Sequence, residues 1–146
     1  MRDLSPLLNP ESIAVVGASE RFGAGSLVIE NLRALGYQGK IIPVNSRYPR
    51  VFGMACYPSL LEIPNEEEVD CVAIVLGAKK VIPVLEQAGQ RKVRGAWAFA
   101  SGFAETGEEG EKLQEELRRV CKENNILFCG PNCIGYADLH AQVGMY

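Results

Sequence analysis

Two stretches of the sequence have the residue types and spacing to hold an anionic ligand. The first, SIAVVGASERFGAG over 12–25, runs from an apolar, β-branched segment through a glycine-rich turn towards a segment of helical periodicity. Glycines let a ligand approach the backbone, and the first N–H groups of a helix have no partner within it. The segment is therefore a candidate phosphate-binding arrangement, with a plain strand-to-helix turn as the other reading of the same residues. The second stretch is Val44-Asn45-Ser46-Arg47, where an apolar run ends in an amide and a cation. An arginine there supplies the charge-assisted bonds that suit a phosphate.

The same residues exclude two common nucleotide sites. A nicotinamide dinucleotide fingerprint has the pattern GxGxxG, but Ser19 and Phe22 stand where its second and third glycines belong. The second strand would also end in an acid for a ribose hydroxyl, and here a cation follows it. A P-loop is excluded because no GK[ST] follows the glycines. Acid–base, nucleophilic and metal chemistry find little to work with. The single histidine, His140, has no partner at a recognisable spacing and reads as a surface or packing residue. The five cysteines form no CxxC pair, so no metal site and no disulfide framework is expected. Cys56, Cys71, Cys121 and Cys129 read as core, and Cys133 as a small residue packing a turn, with a reactive thiol as its alternative. Lys79 and Lys80 read as solvated surface, with a phosphate contact from Lys79 as the alternative.

Five apolar runs, over 13–17, 40–44, 71–76, 94–99 and 126–129, alternate with helical segments, the pattern of a parallel sheet covered on both faces. Leu27, Val28, Asn31, Leu32 and Leu35 recur at helical spacing before Gly36, a residue suited to a left-handed C-cap. Val81, Val84, Leu85 and Ala88 repeat the device before Gly89, with Pro83 expected near that helix's first turn. The last helix carries Leu113, Leu117, Val120 and Cys121 on one face, and Thr106 and Glu109 have capping-box spacing. Between the second and third strands, Pro49, Pro58 and Pro64 leave room for a loop and a turn or two of helix. The expected fold is α/β, Rossmann-like and doubly wound, a parallel sheet of five strands in the order 3-2-1-4-5. Ligand loops then lie at the carboxyl ends of the strands, over 17–25, 45–50, 76–80, 100–107 and 130–136.

At 146 residues the chain has the size of one domain, 1–146. Its 47% hydrophobic and 23% charged residues are those of a soluble globular protein, and no apolar stretch approaches the length of a membrane span. A net charge of −3 gives no general attraction to nucleic acid or an anionic membrane, so an anionic ligand must be held locally. The expected location is cytoplasmic, because the N-terminus lacks a signal peptide's apolar core.

Five motifs, SIAVVGAS over 12–19, GKIIPVN over 39–45, CYPS over 56–59, SGFAETG over 101–107 and GPNCIG over 130–135, carry a resemblance across nearly the whole chain. In order and spacing they resemble the N-terminal CoA-binding domain of NDP-forming acyl-CoA synthetases. That group includes ADP-forming acetyl-CoA synthetases, large protein acetyltransferases and, more distantly, the succinyl-CoA synthetase α subunit. The resemblance implies coenzyme A as ligand, with its phosphates on Gly17, Ala18, Ser19 and Glu20 and with Gly23 opening the helix. It puts the family's cation on Arg47 beside Asn45, and the pantetheine and adenine path along Ala100, Ser101, Gly102 and Phe103. Leu76-Gly77-Ala78 departs from the family's usual VPA. The implied role is to present the CoA thiol in an acid–thiol ligase whose phosphohistidine lies in another domain. His140 matches no family histidine, so no catalytic residue is assigned and the segment alone is expected to be inactive. The expected partners are CoA or acyl-CoA and the other domains or subunits of a synthetase, with this chain its N-terminal part. The competing reading is a stand-alone CoA-binding module that senses or sequesters; a nucleotide-dependent oxidoreductase is disfavoured by the missing fingerprint.

Overall fold

The computed structural model describes residues 3–146. In chain order, a one-turn helix α1 (Ser5–Leu8) is followed by β1 (Ser12–Val16), α2 (Ala24–Leu35), β2 (Lys40–Val44) and a small hairpin, β3 (Arg50–Val51) with β4 (Met54–Ala55). A 3-10 turn at Leu60–Glu62 leads to β5 (Cys71–Ile74), α3 (Ala78–Gln90) and β6 (Gly95–Ala98). A second 3-10 turn at Ala104–Thr106 precedes α4 (Glu108–Glu123) and β7 (Leu127–Cys129), and a last hairpin pairs β8 (Ala137–Asp138) with β9 (Val143–Gly144). The two hairpins and α1 were not expected from the sequence.

Strands β2, β1, β5, β6 and β7 form one parallel sheet in that order. Alternate side chains of a strand point to opposite faces, which explains why the central strands are apolar throughout. Ala14 and Val16 of β1 join the core under α3 and α4, and Ile13 and Val15 join the core under α2. The second core also takes the last hairpin, since Val143 and Met145 are fully buried there. The α/β, Rossmann-like, doubly wound class is as expected.

The strand order differs from the expected 3-2-1-4-5 in one placement. Counted in chain order, the five sheet strands run 2-1-3-4-5: the third, β5, pairs with β1 on the side away from β2. The physical reason lies in Pro43. The Tyr57 N–H donates to the Pro43 carbonyl (3.1 Å), so Pro43 turns that carbonyl, and the side from which its N–H is missing, to the outer edge of β2. A proline is tolerated on an edge strand and poorly in the interior position that order 3-2-1-4-5 assigns to β2. The chain returning from the first hairpin caps that edge with one parallel bridge, Val44 to Tyr57.

The helix ends show three further differences. Gly36 is the left-handed C-cap of α2 (φ 79°), as expected. Pro83, however, lies inside α3 rather than near its first turn, because the helix begins at Ala78. Gly89 is also internal, and its lack of a side chain serves packing: a Cβ there would stand 2.1 Å from Asn124 Oδ1, at the end of α4. Thr106 does not cap α4. Its hydroxyl donates to the Phe103 carbonyl (2.9 Å) within the preceding 3-10 turn, and Gly107 is the N-cap. A Cβ on Gly110 would lie 1.8 Å from that same carbonyl, so the start of α4 is pressed against the turn that holds Thr106.

The join between β1 and α2 is tightest at Gly25, where a Cβ would stand 2.1 Å from the Gly17 carbonyl oxygen. Backbone cannot yield as a flexible side chain does. Gly25→Ala is therefore expected to lower stability by about 1–3 kcal/mol, as overpacking does. Urea unfolding checks it, with Gly77→Ala, whose Cβ would meet nothing within 4 Å, as the mild comparison.

Candidate functional site

Helices α2 and α3 leave adjacent strands, β1 and β5, for opposite faces of the sheet. The loops that follow those strands must separate at their carboxyl ends, and a crevice opens at this switch point. A cleft of about 520 Å³ lies there, with Gly17, Ser19, Asn45, Arg47, Leu76 and Lys80 among its walls. A second cleft, of about 660 Å³, adjoins it and shares Leu76 and Lys80; Gly77, Lys79, Ser101 and Gly102 also line it. Together they make a trough along the carboxyl ends of the strands.

The first loop is built close to β5. Gly17 has φ 96°, and a Cβ on it would lie 2.5 Å from the Val75 carbonyl oxygen, so both backbone and space require glycine. Ala18 is fully buried. The Ser19 hydroxyl accepts the Arg21 N–H (3.0 Å), and Gly23 is the N-cap of α2. Ala24 and Gly25 then present N–H groups that a helix start cannot satisfy internally. Phe22, at the tip, is 90% exposed. Glu20 turns elsewhere: its carboxylate accepts the Phe52 N–H (2.6 Å) in the first hairpin, where Arg33 covers the Phe52 ring.

Asn45 ties two loops together. Its side-chain amide donates to the Ala18 carbonyl (2.8 Å), and its oxygen accepts the Arg47 N–H (2.9 Å). Arg47 itself is exposed over the first cleft. In the fourth-strand loop Ala100 is buried, its N–H donating to the Pro131 carbonyl (3.0 Å). Ser101 and Gly102 face the second cleft, and the Gly102 N–H donates to Glu105 Oε1 (2.6 Å). That bond holds the Glu105 carboxyl below the usual carboxylate range. The structure thus brings Gly17, Ser19, Asn45 and Arg47 to one cleft and Ser101 and Gly102 to the next. Ala18, Glu20, Gly23 and Ala100 support these loops and do not line either cleft.

Arg21 and Lys80 also line the first cleft; the sequence reading gave Arg21 no role and took Lys80 as solvated surface. A signal for Lys80 was present. Lys79 and Lys80 fall in the first turn of α3, where a cation opposes the helix dipole, and neither α2 nor α3 carries an acid in its first turn. Helix α4 has Glu108, Glu109 and Glu111 in that position, as stability alone would favour. The switch point is therefore positive in an acidic protein. Glu109 is the carboxylate that reaches the second cleft.

Nucleophiles and metal ligands are sparse around the trough. Cys56, Cys71 and Cys121 are buried as expected, and burial pushes the Cys71 thiol up to about 12. Cys129, expected in the core, is only half-buried and lies beside Cys133. His140 is exposed, its backbone N–H bonded to Asp138 Oδ1 (2.9 Å). Among the described residues there is no group of three or more metal-ligating side chains, and no helix long and apolar enough to cross a membrane.

The sequence profile of the CoA binding domain family matches residues 11–138. The chain belongs to this family. Coenzyme A is its ligand. Over 134 residues it is 39% identical to acetate–CoA ligase [ADP-forming] II of Archaeoglobus fulgidus, covering 91% of this chain and 20% of that protein. It thus spans about a fifth of the length of that curated relative. Its fold matches the dinucleotide-forming acetyl-coenzyme A synthetase 1 of Ca. Korarchaeum cryptofilum, solved with phosphate and ADP, with a TM-score of 0.91 at 36% identity, over 99% of this chain and 31% of that one. A conserved hypothetical protein of Pyrococcus furiosus matches less closely, with a TM-score of 0.64 at 27% identity, over 84% of this chain and 95% of that one.

Asn45 is the brace between the first two loops, and its removal leaves the Ala18 carbonyl without its side-chain donor. Asn45→Ala is expected to lower stability by about 1–3 kcal/mol. It should also speed hydrogen exchange at the Arg47 amide, which loses its acceptor. Urea unfolding and amide exchange measure the two effects.

Proposed function

We propose that the trough binds CoA with its phosphates at the switch point and its pantetheine arm along the adjoining cleft. In this reading the diphosphate lies on the loop over 17–25, where Gly17, Ala18, Ser19, Glu20 and Gly23 shape the backbone and the start of α2 supplies N–H groups. Arg47, held in place by Asn45, pairs with a phosphate, and Arg21 and Lys80 add positive charge around it. The pantetheine arm, long and weakly polar, follows the backbone of Ala100, Ser101 and Gly102. The observation that carries the reading is the convergence of three cations, Arg21, Arg47 and Lys80, with the acid-free first turn of α3, on one cleft walled by Gly17, Ser19 and Asn45.

The domain then serves an NDP-forming acyl-CoA synthetase by presenting the CoA thiol to a reaction centre formed with other domains or subunits. Supporting this are the TM-score of 0.91 with an acetyl-coenzyme A synthetase and the 39% identity with an acetate–CoA ligase. The absence of a histidine facing the trough, among the described residues, fits a division of labour in which the phosphoryl steps lie elsewhere. A second reading, a CoA-binding module without catalysis, is favoured by one observation: the Pyrococcus furiosus protein of similar fold is 95% covered by this chain, so proteins of this size carry the fold alone.

Calorimetric titration with CoA, dephospho-CoA and NAD tests the ligand assignment. CoA is expected to bind more tightly than NAD, because Ser19 and Phe22 replace fingerprint glycines and no acid follows β2; equal affinity contradicts this. A bond from arginine to phosphate contributes about 1.5–3 kcal/mol, so Arg47→Ala is expected to weaken CoA roughly ten- to a hundredfold and leave the fold intact. If the bond is to the 3′-phosphate, dephospho-CoA binding stays unchanged in the variant; if it is to the diphosphate, both ligands weaken together. Incubated with acid, CoA and ATP, the chain alone is expected to form no acyl-CoA. Turnover by the purified chain contradicts the division of labour.

A further inference from the structure

Outside the trough, the densest group of reactive side chains lies at the end of β7. Cys129 closes that strand opposite Trp97 of β6. The chain then turns through Gly130 and Pro131 and comes back against the same end of β6. The Ala100 N–H donates to the Pro131 carbonyl (3.0 Å), Asn132 bridges to Phe99, and the Cys133 N–H donates to the Ala98 carbonyl (3.3 Å). Both limbs of the turn are thus pinned to one strand end, and the two sulfurs meet, Sγ to Sγ 3.5 Å.

That separation is a sulfur–sulfur contact, about 1.5 Å longer than a disulfide bond, a difference that rotation of the side chains can close. The backbone ordering that normally opposes ring closure is already in place, since the loop between the cysteines is only Gly130, Pro131 and Asn132. The thiols form a short chain. Cys129 donates to Cys133 Sγ, and the Cys133 thiol donates to the Gly135 carbonyl (3.5 Å). Cys129 and Cys133 are both half-buried, and Cys133 sits in the loop between the exposed Asn132 and Ile134. Burial, with the neighbouring sulfur, pushes the Cys129 thiol up to about 11, so its attack depends on the closeness of the Cys133 sulfur and not on a large thiolate fraction. Cys56, Cys71 and Cys121 are buried and have no sulfur neighbour of this kind.

We propose that Cys129 and Cys133 form a dithiol modification site that exchanges with small-molecule disulfides and closes into a reversible intramolecular disulfide. The Cys133 thiolate attacks one sulfur of the disulfide RSSR, forming a mixed disulfide and releasing one thiolate. Cys129 loses its proton to solvent, attacks the Cys133 sulfur and releases the second thiolate. In total the two cysteines are oxidised by two electrons, RSSR is reduced to two RSH, and the protons balance. The new bond adds a covalent tie between the end of β7 and the loop that carries Asn132 and Ile134, which backbone hydrogen bonds already hold against β6.

The test uses the full chain, equilibrated with mixtures of reduced and oxidised glutathione at neutral pH, trapped with an alkylating reagent and digested with trypsin. No lysine or arginine follows Lys122, so the peptide over 123–146 holds Cys129 and Cys133 and excludes Cys121. The expected result is a peptide lighter by two hydrogens and not alkylated, increasing with oxidised glutathione and abolished by dithiothreitol. Cys129→Ser should instead leave Cys133 as a glutathione adduct, and Cys121→Ser should behave like the parent. If the parent peptide stays doubly alkylated across the range, or carries glutathione without closing, the proposal is wrong. CoA affinity does not enter this readout, so its outcome is separate from that of the ligand titration.

Discussion

The arrangement of the whole site follows from one packing constraint: α2 and α3 start from neighbouring strands and must cover opposite faces of the sheet. Because β1 and β5 are apolar on both sides, each face needs a helix, and the two helices cannot both follow the same path. Their first turns diverge at the carboxyl ends of the strands and leave a crevice between them. Gly17 sits at the point of divergence, pressed against the Val75 carbonyl, and Gly25 is where α2 closes on the Gly17 backbone. Larger residues at either position would force the loop outward and blunt the crevice. The crevice proposed as the ligand site is thus a by-product of covering the sheet, kept open by two glycines.

In the proposed reading, electrostatics suits that crevice to an anion. The chain carries a formal charge of −3, yet the starts of α2 and α3 have no acids, and Arg21, Arg47 and Lys80 stand around the same cleft. Helix α4, whose start lies further along the sheet, has the acidic first turn that stability alone favours. Of the three long helices, α2 and α3 go without that stabilisation, which suits the proposed anion site. Asn45 gives the cations a fixed frame by joining the Ala18 carbonyl to the Arg47 N–H.

Much of this was legible in the sequence, because period and composition report burial directly. The five sheet strands appear as apolar runs, and 40–44 matches the observed β2 in both ends. The position of β5 was misplaced because apolar strands look alike wherever they sit in a sheet. Pro43 held the missing information, since a proline without an N–H marks an edge. The hairpin that carries β3 and β4 and the final hairpin, β8 with β9, escaped because two-residue strands have no period to read. At the site, Arg47 stood out because a cation follows the second strand where an acid would be expected, whereas Arg21 and Lys80 look like ordinary surface cations until the fold places them on one cleft. Glu20 shows the converse: its place in the motif suggested a ligand contact, and the structure gives its carboxylate to the Phe52 N–H. The contact between Cys129 and Cys133 depends on the turn folding back on β6, which spacing alone does not encode.

The central claim is that CoA lies across the switch point between β1 and β5. Mapping amide chemical-shift changes on titration of the full chain with CoA tests this most directly. The account predicts that the largest changes fall at Ser19, Gly23, Ala24, Gly25, Arg47, Lys80 and Gly102, with little change in the groove between α4 and β7 that Arg118 and Lys122 line. Changes concentrated in that groove, with the loop over 17–25 unmoved, would contradict it.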